Sequence, residues 1–199
     1  MKHALNASLH HHEKNREVNM NVLLGVTGSI SAYKAVDILR IFQKNNHGVS
    51  VIMTASAQHI IPALTFETFI PGRVYTEMFE RKRDPLLHID VCRDNGLLLI
   101  APATANIIGK MANGIADDLL STTFLAFYKT VIIAPAMNTH MLENPAVKDN
   151  LARLHSRGVH IIEPDAGGLA CKDEGKGKLP APQYIYDRCI KLVTGAVDV

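Results

Sequence analysis

The stretch Val22-Leu23-Leu24-Gly25-Val26-Thr27-Gly28-Ser29 decides the architecture. Its first five residues are apolar throughout and rich in branched side chains, as expected of a strand buried on both faces, and Thr27-Gly28-Ser29 closes it with a tight turn. Beyond the turn, Ile30, Ala35, Ile38, Leu39 and Phe42 recur at helical spacing, which predicts an amphipathic helix. Gly48, just after Asn45-Asn46, reads as its stop, and Val49 to Met53 as the second strand.

The alternation continues along the chain. Thr54 reads as the cap of a short helix ending near Pro62, and Leu97-Leu98-Leu99-Ile100 as another buried strand, opening into Ala101-Pro102-Ala103-Thr104. Helices are expected over 105–112 and 116–128, with a strand at Val131-Ile132-Ile133-Ala134. A further helix should run from the Asn144-Pro145 cap to about Arg157 and stop at Gly158. Val159-His160-Ile161-Ile162 reads as a strand, 163–182 as a stretch rich in glycine and charge, and 182–193 as a closing helix. Continuous apolar strands separated by amphipathic helices predict an α/β fold: a doubly wound, Rossmann-like parallel sheet with helices on both faces. Ligands in such sheets bind beyond the carboxyl ends of the strands, so residues 28–29, 54–56, 101–106 and 135–141 are expected to form one site.

With 199 residues, 47% of them hydrophobic, the chain is long enough to bury one core, and a single domain over 20–199 is expected. Residues 1–19 carry His3, His10, His11 and His12 among polar neighbours with no apolar run, and read as a non-core extension; Met20 is equally able to be an internal start. The charge balance of 21 basic against 19 acidic residues is too even for a nucleic-acid footprint, so small molecules are the expected partners, with neither nucleic acid nor membrane. Cys92, Cys171 and Cys189 match no zinc or disulfide framework, which fits a reducing cytoplasm and no metal.

The turn from Gly25 to Ala32 offers hydroxyls and a helix amino terminus, whose open N–H groups attract phosphate. It lacks the second glycine of a dinucleotide fingerprint, where Thr27 stands, and the lysine of a P-loop. A mononucleotide such as FMN suits it better than NAD, FAD or ATP; plain strand-to-helix punctuation is the competing explanation.

Five segments together resemble the homo-oligomeric flavin-containing cysteine decarboxylase family. They are Gly25-Val-Thr-Gly-Ser-Ile-Ser-Ala-Tyr-Lys34; His88-Ile-Asp90; Ala101-Pro-Ala-Thr-Ala-Asn106 with Asn113-Gly-Ile-Ala-Asp-Asp118; Pro135-Ala-Met-Asn-Thr-His-Met141; and Gly168-Leu-Ala-Cys-Lys-Asp-Glu-Gly-Lys-Gly177. The last is similar to the cysteine-containing substrate clamp of the phosphopantothenoylcysteine decarboxylase branch. The resemblance implies that FMN is held by Gly28, Ser29, Ile30, Thr54 and Ser56, and by Ala101, Thr104, Ala105 and Asn106. It implies catalytic roles for His88, Asn138 and Cys171, and substrate contacts from Asn138, Met141, Ala170, Cys171 and Lys172.

The implied reaction converts 4′-phosphopantothenoylcysteine to 4′-phosphopantetheine in coenzyme A biosynthesis: thiol oxidation to a thioaldehyde, loss of CO2 to an enethiolate, and re-reduction of that enethiolate. The implied assembly is a homo-oligomer, a trimer or a dodecamer of trimers, with FMN between subunits.

These residue types suit the chemistry. A histidine exchanges protons near neutral pH, and His88 is expected on a loop before a strand; Asn138 donates N–H bonds to a carboxylate without adding charge. Cys171 stands among Lys172, Lys176 and Lys178, which favour a thiolate and can also meet the substrate phosphate, although a solvated loop explains the lysines equally. Cys92 and Cys189 read as buried apolar residues.

Leu142 replaces the tryptophan usual in the family, and Asp94-Asn95-Gly96 its aromatic-Ala-Asp. The chain length leaves no room for the ligase domain of many bacterial relatives, so a stand-alone decarboxylase is expected. Competing readings are a peptidyl-cysteine oxidative decarboxylase, which would release the enethiol, and a non-catalytic flavin-binding regulatory subunit. An NAD- or FAD-linked reductase is weakened by the missing glycine fingerprint.

Overall fold

A computed structural model describes residues 19–79, 86–168 and 174–195. The main sheet contains β1 (Asn21–Val26), β2 (Gly48–Met53), β3 (Val74–Tyr75), β4 (Leu97–Ala103), β5 (Thr130–Pro135) and β6 (His160–Ile161), in the order β3-β2-β1-β4-β5-β6. Every neighbouring pair is parallel. This is the doubly wound order in which the crossovers change direction between β1 and β4. Leu97 to Ala103 are all buried, as the continuous apolar run requires of a central strand.

Helices cover both faces. They are α1 (Ala35–Lys44), α2 (Ala55–Gln58), α3 (Ala63–Glu67), α4 (Leu87–Asp94), α5 (Ala105–Asn113), α6 (Leu119–Ala126), α7 (Thr139–Glu143), α8 (Pro145–Ser156) and α9 (Pro182–Thr194), with a 3-10 turn at Ile30–Lys34 before α1. On one face Phe42, Leu39 and Ile38 of α1 pack with Ile185 and Cys189 of α9; on the other, α4, α5 and α6 pack on Leu23, Leu98 and Ile133. Two core layers on one sheet are what strands apolar on both faces demand.

The structure corrects several boundaries. Gly48 does not stop a helix: it opens β2, and the left-handed turn residue is Asn46, at φ 62°. Pro62 starts α3 as its N-cap instead of ending α2. The helix expected over 116–128 begins only at Leu119, because Asp118 and Ser121 form a reciprocal capping box. His88 stands in the first turn of α4, not on a loop. The end of α4 is held by Lys129, whose Nζ donates to the carbonyls of Cys92, Arg93 and Asn95 at 3.2, 2.9 and 2.7 Å. Asn95, at the departure from the family pattern, is buried and donates to Val91 O at 2.8 Å.

Residues 163–182 also contain an antiparallel hairpin, β7 (Asp165–Gly168) with β8 (Glu174–Lys178).

Candidate functional site

The turn after β1 and the turn after β4 lie side by side at the point where the crossovers change direction. Thr27, 2% exposed, joins them: its Oγ1 donates to Pro102 O at 2.7 Å and accepts from Thr104 N at 3.1 Å. Each turn then launches a helix whose first N–H groups have no carbonyl one turn back, and a side chain meets one of them. Ser29 accepts from Ser31 N, Thr104 from Ile107 N, and Thr54 beyond β2 from Ala57 N.

Gly28 is required by a close approach. A Cβ there would stand 2.5 Å from Ser56 Cβ, so the turns after β1 and β2 touch only because residue 28 has no side chain.

A cavity of about 480 Å³ opens above these turns, within the range of about 300–1,000 Å³ typical of small-molecule sites. One wall is Gly28 to Ser31 with Tyr33 and Lys34, and a second is Thr104 and Ala105 at the start of α5. The third is Ala136, Met137, Asn138 and Met141 beyond β5, and the fourth is the hairpin base, Gly168, Gly177 and Lys178.

Two contacts hold the hairpin there. Met137 N donates to Gly177 O at 3.0 Å, and Lys34 Nζ to Leu179 O at 3.3 Å. Gly177 has φ +145°, and a Cβ on it would collide with Met137 O. Asn138 caps α7, its Oδ1 accepting from His140 N at 2.8 Å, so the hydrogen bonds its amide can offer a carboxylate are N–H donations.

Of the residues singled out from sequence, Gly28, Ser29, Ile30, Thr104, Ala105, Asn138 and Met141 line this cavity together. Thr54 and Ser56 stand beside it without lining it. Ala101 is fully buried inside β4, and Asn106 is exposed one residue beyond the lining Ala105. His88 does not line the cavity either; its Nδ1 is buried and lacks a hydrogen-bond partner among the described residues, as does Thr139 Oγ1. Ala170, Cys171 and Lys172 lie outside the described residues.

Burial pushes the Cys189 thiol up to about 12 and that of Cys92 up to about 11, the latter partly opposed by Lys129. Both are protonated and chemically quiet at neutral pH. Lys110 bridges Asp117 at 2.6 Å and Asp118 at 2.7 Å, which fixes the Asn113–Asp118 motif as a support for α6. Burial raises the Asp118 pKa, but hydrogen bonds from Lys110 and Ser121 outweigh it and leave that carboxyl below its usual value.

Lys34 and Gly177 line the cavity without having been assigned a role from sequence, whereas Met137 lies in the expected 135–141 stretch and Lys178 among the lysines expected to meet the substrate phosphate. The signal lay in two quoted segments, since Lys34 closes the first-turn motif and Gly177 the clamp motif.

The chain is 47% identical over 168 residues to the coenzyme A biosynthesis bifunctional protein CoaBC of Bacillus subtilis (strain 168), which covers 84% of this chain and 41% of that protein. The chain thus spans less than half the length of this relative. Among solved structures, a PPC decarboxylase variant complexed with pantothenoylaminoethenethiol superposes with a TM-score of 0.78 and 32% identity, over 89% of this chain and all of that one. The FMN-dependent cysteine decarboxylase SpaF gives 0.76 and 28% identity, over 91% of this chain and 99% of its own. The flavoprotein family pattern matches residues 10–194, and the chain belongs to the flavoprotein family.

Proposed function

We propose that the chain is an FMN-dependent decarboxylase that converts 4′-phosphopantothenoylcysteine to 4′-phosphopantetheine in coenzyme A biosynthesis. The observation that carries the reading is the convergence of three turns and the hairpin base on one cavity, with the hairpin bracketing the segment that contains Cys171.

The residues present fit FMN. Ser29 and the start of α5 offer N–H groups to a phosphate, Gly28 allows close backbone approach, and Ile30, Ala136 and Met137 offer apolar contact to a flat ring. Bound FMN supplies the two-electron acceptor and donor for the reaction. The chain supplies the rest. Asn138 orients the carboxylate through N–H donation and leaves it free to depart as CO2, since no cation is added to hold its charge. His88 takes the proton released on thiol oxidation, and Cys171 returns a proton to the enethiolate.

The partnerless Nδ1 of His88, away from its own cavity, favours an oligomer in which FMN lies between subunits. Exposed Leu86, Leu125 and Tyr128 on the paired α4 and α6 region provide apolar surface for such an assembly. Light scattering should report a trimer or larger particle, and a flavin-loaded monomer would exclude this arrangement. The reaction is tested by anaerobic CO2 release from 4′-phosphopantothenoylcysteine. FMN-loaded protein should release it and flavin-free protein should not.

A further inference from the structure

Helix α4 has eight residues, too few to be stable alone, and Leu86 at its N-cap has no polar side chain to meet its first N–H groups. It is held at the other end. A helix leaves its last four carbonyls unpaired, and here a side chain donates to each of the four. Val91 O accepts from Asn95 Nδ2 at 2.8 Å, Cys92 O and Arg93 O from Lys129 Nζ at 3.2 and 2.9 Å, and Asp94 O from Asn21 Nδ2 at 2.9 Å. Lys129 reaches on to Asn95 O at 2.7 Å. Of these donors only Lys129 is charged, and its charge stands where the helix dipole is negative. It forms no ion pair among the described residues; its Nζ lies 5.3 Å from the centroid of the Tyr128 ring.

Cys92 carries this hold back along the helix. Its Sγ donates to His88 O at 2.9 Å, and burial keeps the thiol protonated, and so able to donate, at neutral pH. Lys129 and the His88 carbonyl are thus two hydrogen bonds apart through one residue. The buried Nδ1 of His88 has no partner among the described residues, so no hydrogen bond at that nitrogen fixes the ring, and its place depends on the helix that bears it. Lys129 also directly precedes β5, whose far end leads to the cavity-lining Asn138. One side chain therefore ties the helix of His88 to the strand that leads to Asn138.

We propose that Lys129 is a positioning residue for the reaction: by closing the carbonyl end of α4 it sets where His88 stands, and with it the rate of thiol oxidation. The proposal rests on the decarboxylase reading above, in which His88 takes the thiol proton. Lys129 does not line the cavity and acts through His88.

The test is a double-variant cycle in anaerobic single turnover, read as the rate at which 4′-phosphopantothenoylcysteine reduces the flavin of FMN-loaded protein. Lys129→Met keeps most of the stem and removes all three donations. It should slow flavin reduction about 10- to 100-fold, the span that a misplacement of about 1 Å costs. The substrate concentration for half-maximal rate and the Kd for FMN should stay within about twofold. Lys129→Arg, which keeps charge and donors, should recover most of the rate. In a His88→Asn background Lys129→Met should cost no further rate, because the group it displaces is already gone.

A loss repeated in full in the His88→Asn background would overturn the proposal, as would an unchanged rate in Lys129→Met or a fall in FMN affinity as large as the fall in rate. The His88 ring resonances, assigned by their absence in His88→Asn, give a second readout that needs no turnover. Lys129→Met should shift them and Lys129→Arg should leave them near their wild-type positions; unshifted resonances in Lys129→Met overturn the proposal. If wild-type protein leaves its flavin oxidised with substrate present, the decarboxylase reading falls, and the resonances alone judge whether Lys129 places His88. Should Lys129→Met not fold, Lys129→Gln, one atom shorter and uncharged, takes its place under the same criteria.

Discussion

The hydroxyl of Thr27 and the carbonyl of Pro102 are hydrogen-bonded at 2.7 Å across 75 residues of chain, and the same hydroxyl receives the Thr104 N–H at 3.1 Å. One buried side chain thus sets the spacing between two helix starts that face the same cavity. Thr27→Val keeps the shape and removes both bonds, leaving Pro102 O and Thr104 N without this partner. Urea denaturation should show a loss of about 1–3 kcal/mol, and flavin titration a weaker FMN affinity. Unchanged FMN affinity would show that the turn spacing does not depend on this bond.

Gly28→Ala should weaken FMN binding by placing a methyl 2.5 Å from Ser56 Cβ, at a stability cost of about 1–3 kcal/mol. Ser56→Gly removes the atom it meets, so the double variant should recover much of both losses. Failure to recover would mean that the position matters for ligand approach and not for the contact with Ser56.

How far the site could be read from sequence follows from what each segment is made of. β1, β2, β4 and β5 announce themselves because a strand buried on both faces is apolar along nearly its whole length, with Ser50 the polar residue inside β2. Their turns could be placed beyond the carboxyl ends for the same reason. The β7–β8 hairpin gives no such signal: apart from Ala166 its residues are glycine and charged, it buries little, and its place is set by backbone contact with Met137. β3 has two residues, too few for any period to register, whereas β6 was legible in Val159 to Ile162, of which His160–Ile161 form the strand. His88 reads as loop because Leu87–Asp94 has only a weak apolar stripe, and its helical state relies on Lys129, 34 residues beyond Asn95, capping its end. The motif residues were recognisable together; that Lys178 faces the cavity while Lys176 does not depends on tertiary contacts alone.

Stability should fall on mild acidification because of His47. This ring is buried between Phe42 and Tyr186, accepts from Met20 N at Nδ1 at 3.4 Å, and has its pKa lowered by burial. The unfolded chain therefore binds the proton more readily than the folded one. The contribution is intact above the unfolded value of about 6.5 and is lost as pH falls from there through the lower folded value. Urea midpoints measured from about pH 8 to about pH 5 should decline, and His47→Gln should flatten that decline. An equal slope in the variant would assign the pH dependence elsewhere.

Cys92 and Cys189, raised to about 11 and about 12, should resist alkylation in the native protein, so mass spectrometry should find native-state labelling only at Cys171. Cys171→Ser should abolish that labelling. In anaerobic single turnover the same variant should release CO2 once and leave a product two hydrogens lighter than 4′-phosphopantetheine, because serine is too weak an acid to protonate the enethiolate. Normal turnover by Cys171→Ser would remove the residue from the mechanism.

The most direct measurement is the mass of the product that FMN-loaded wild-type protein forms from 4′-phosphopantothenoylcysteine without oxygen. Coupled oxidation, decarboxylation and re-reduction yield 4′-phosphopantetheine over many turnovers, with the flavin returned to its oxidised form each time. A product lighter by two hydrogens, formed in an amount equal to the flavin, would contradict the account and assign the chain to the peptidyl-cysteine type; unaltered substrate beside bound FMN would contradict decarboxylation itself.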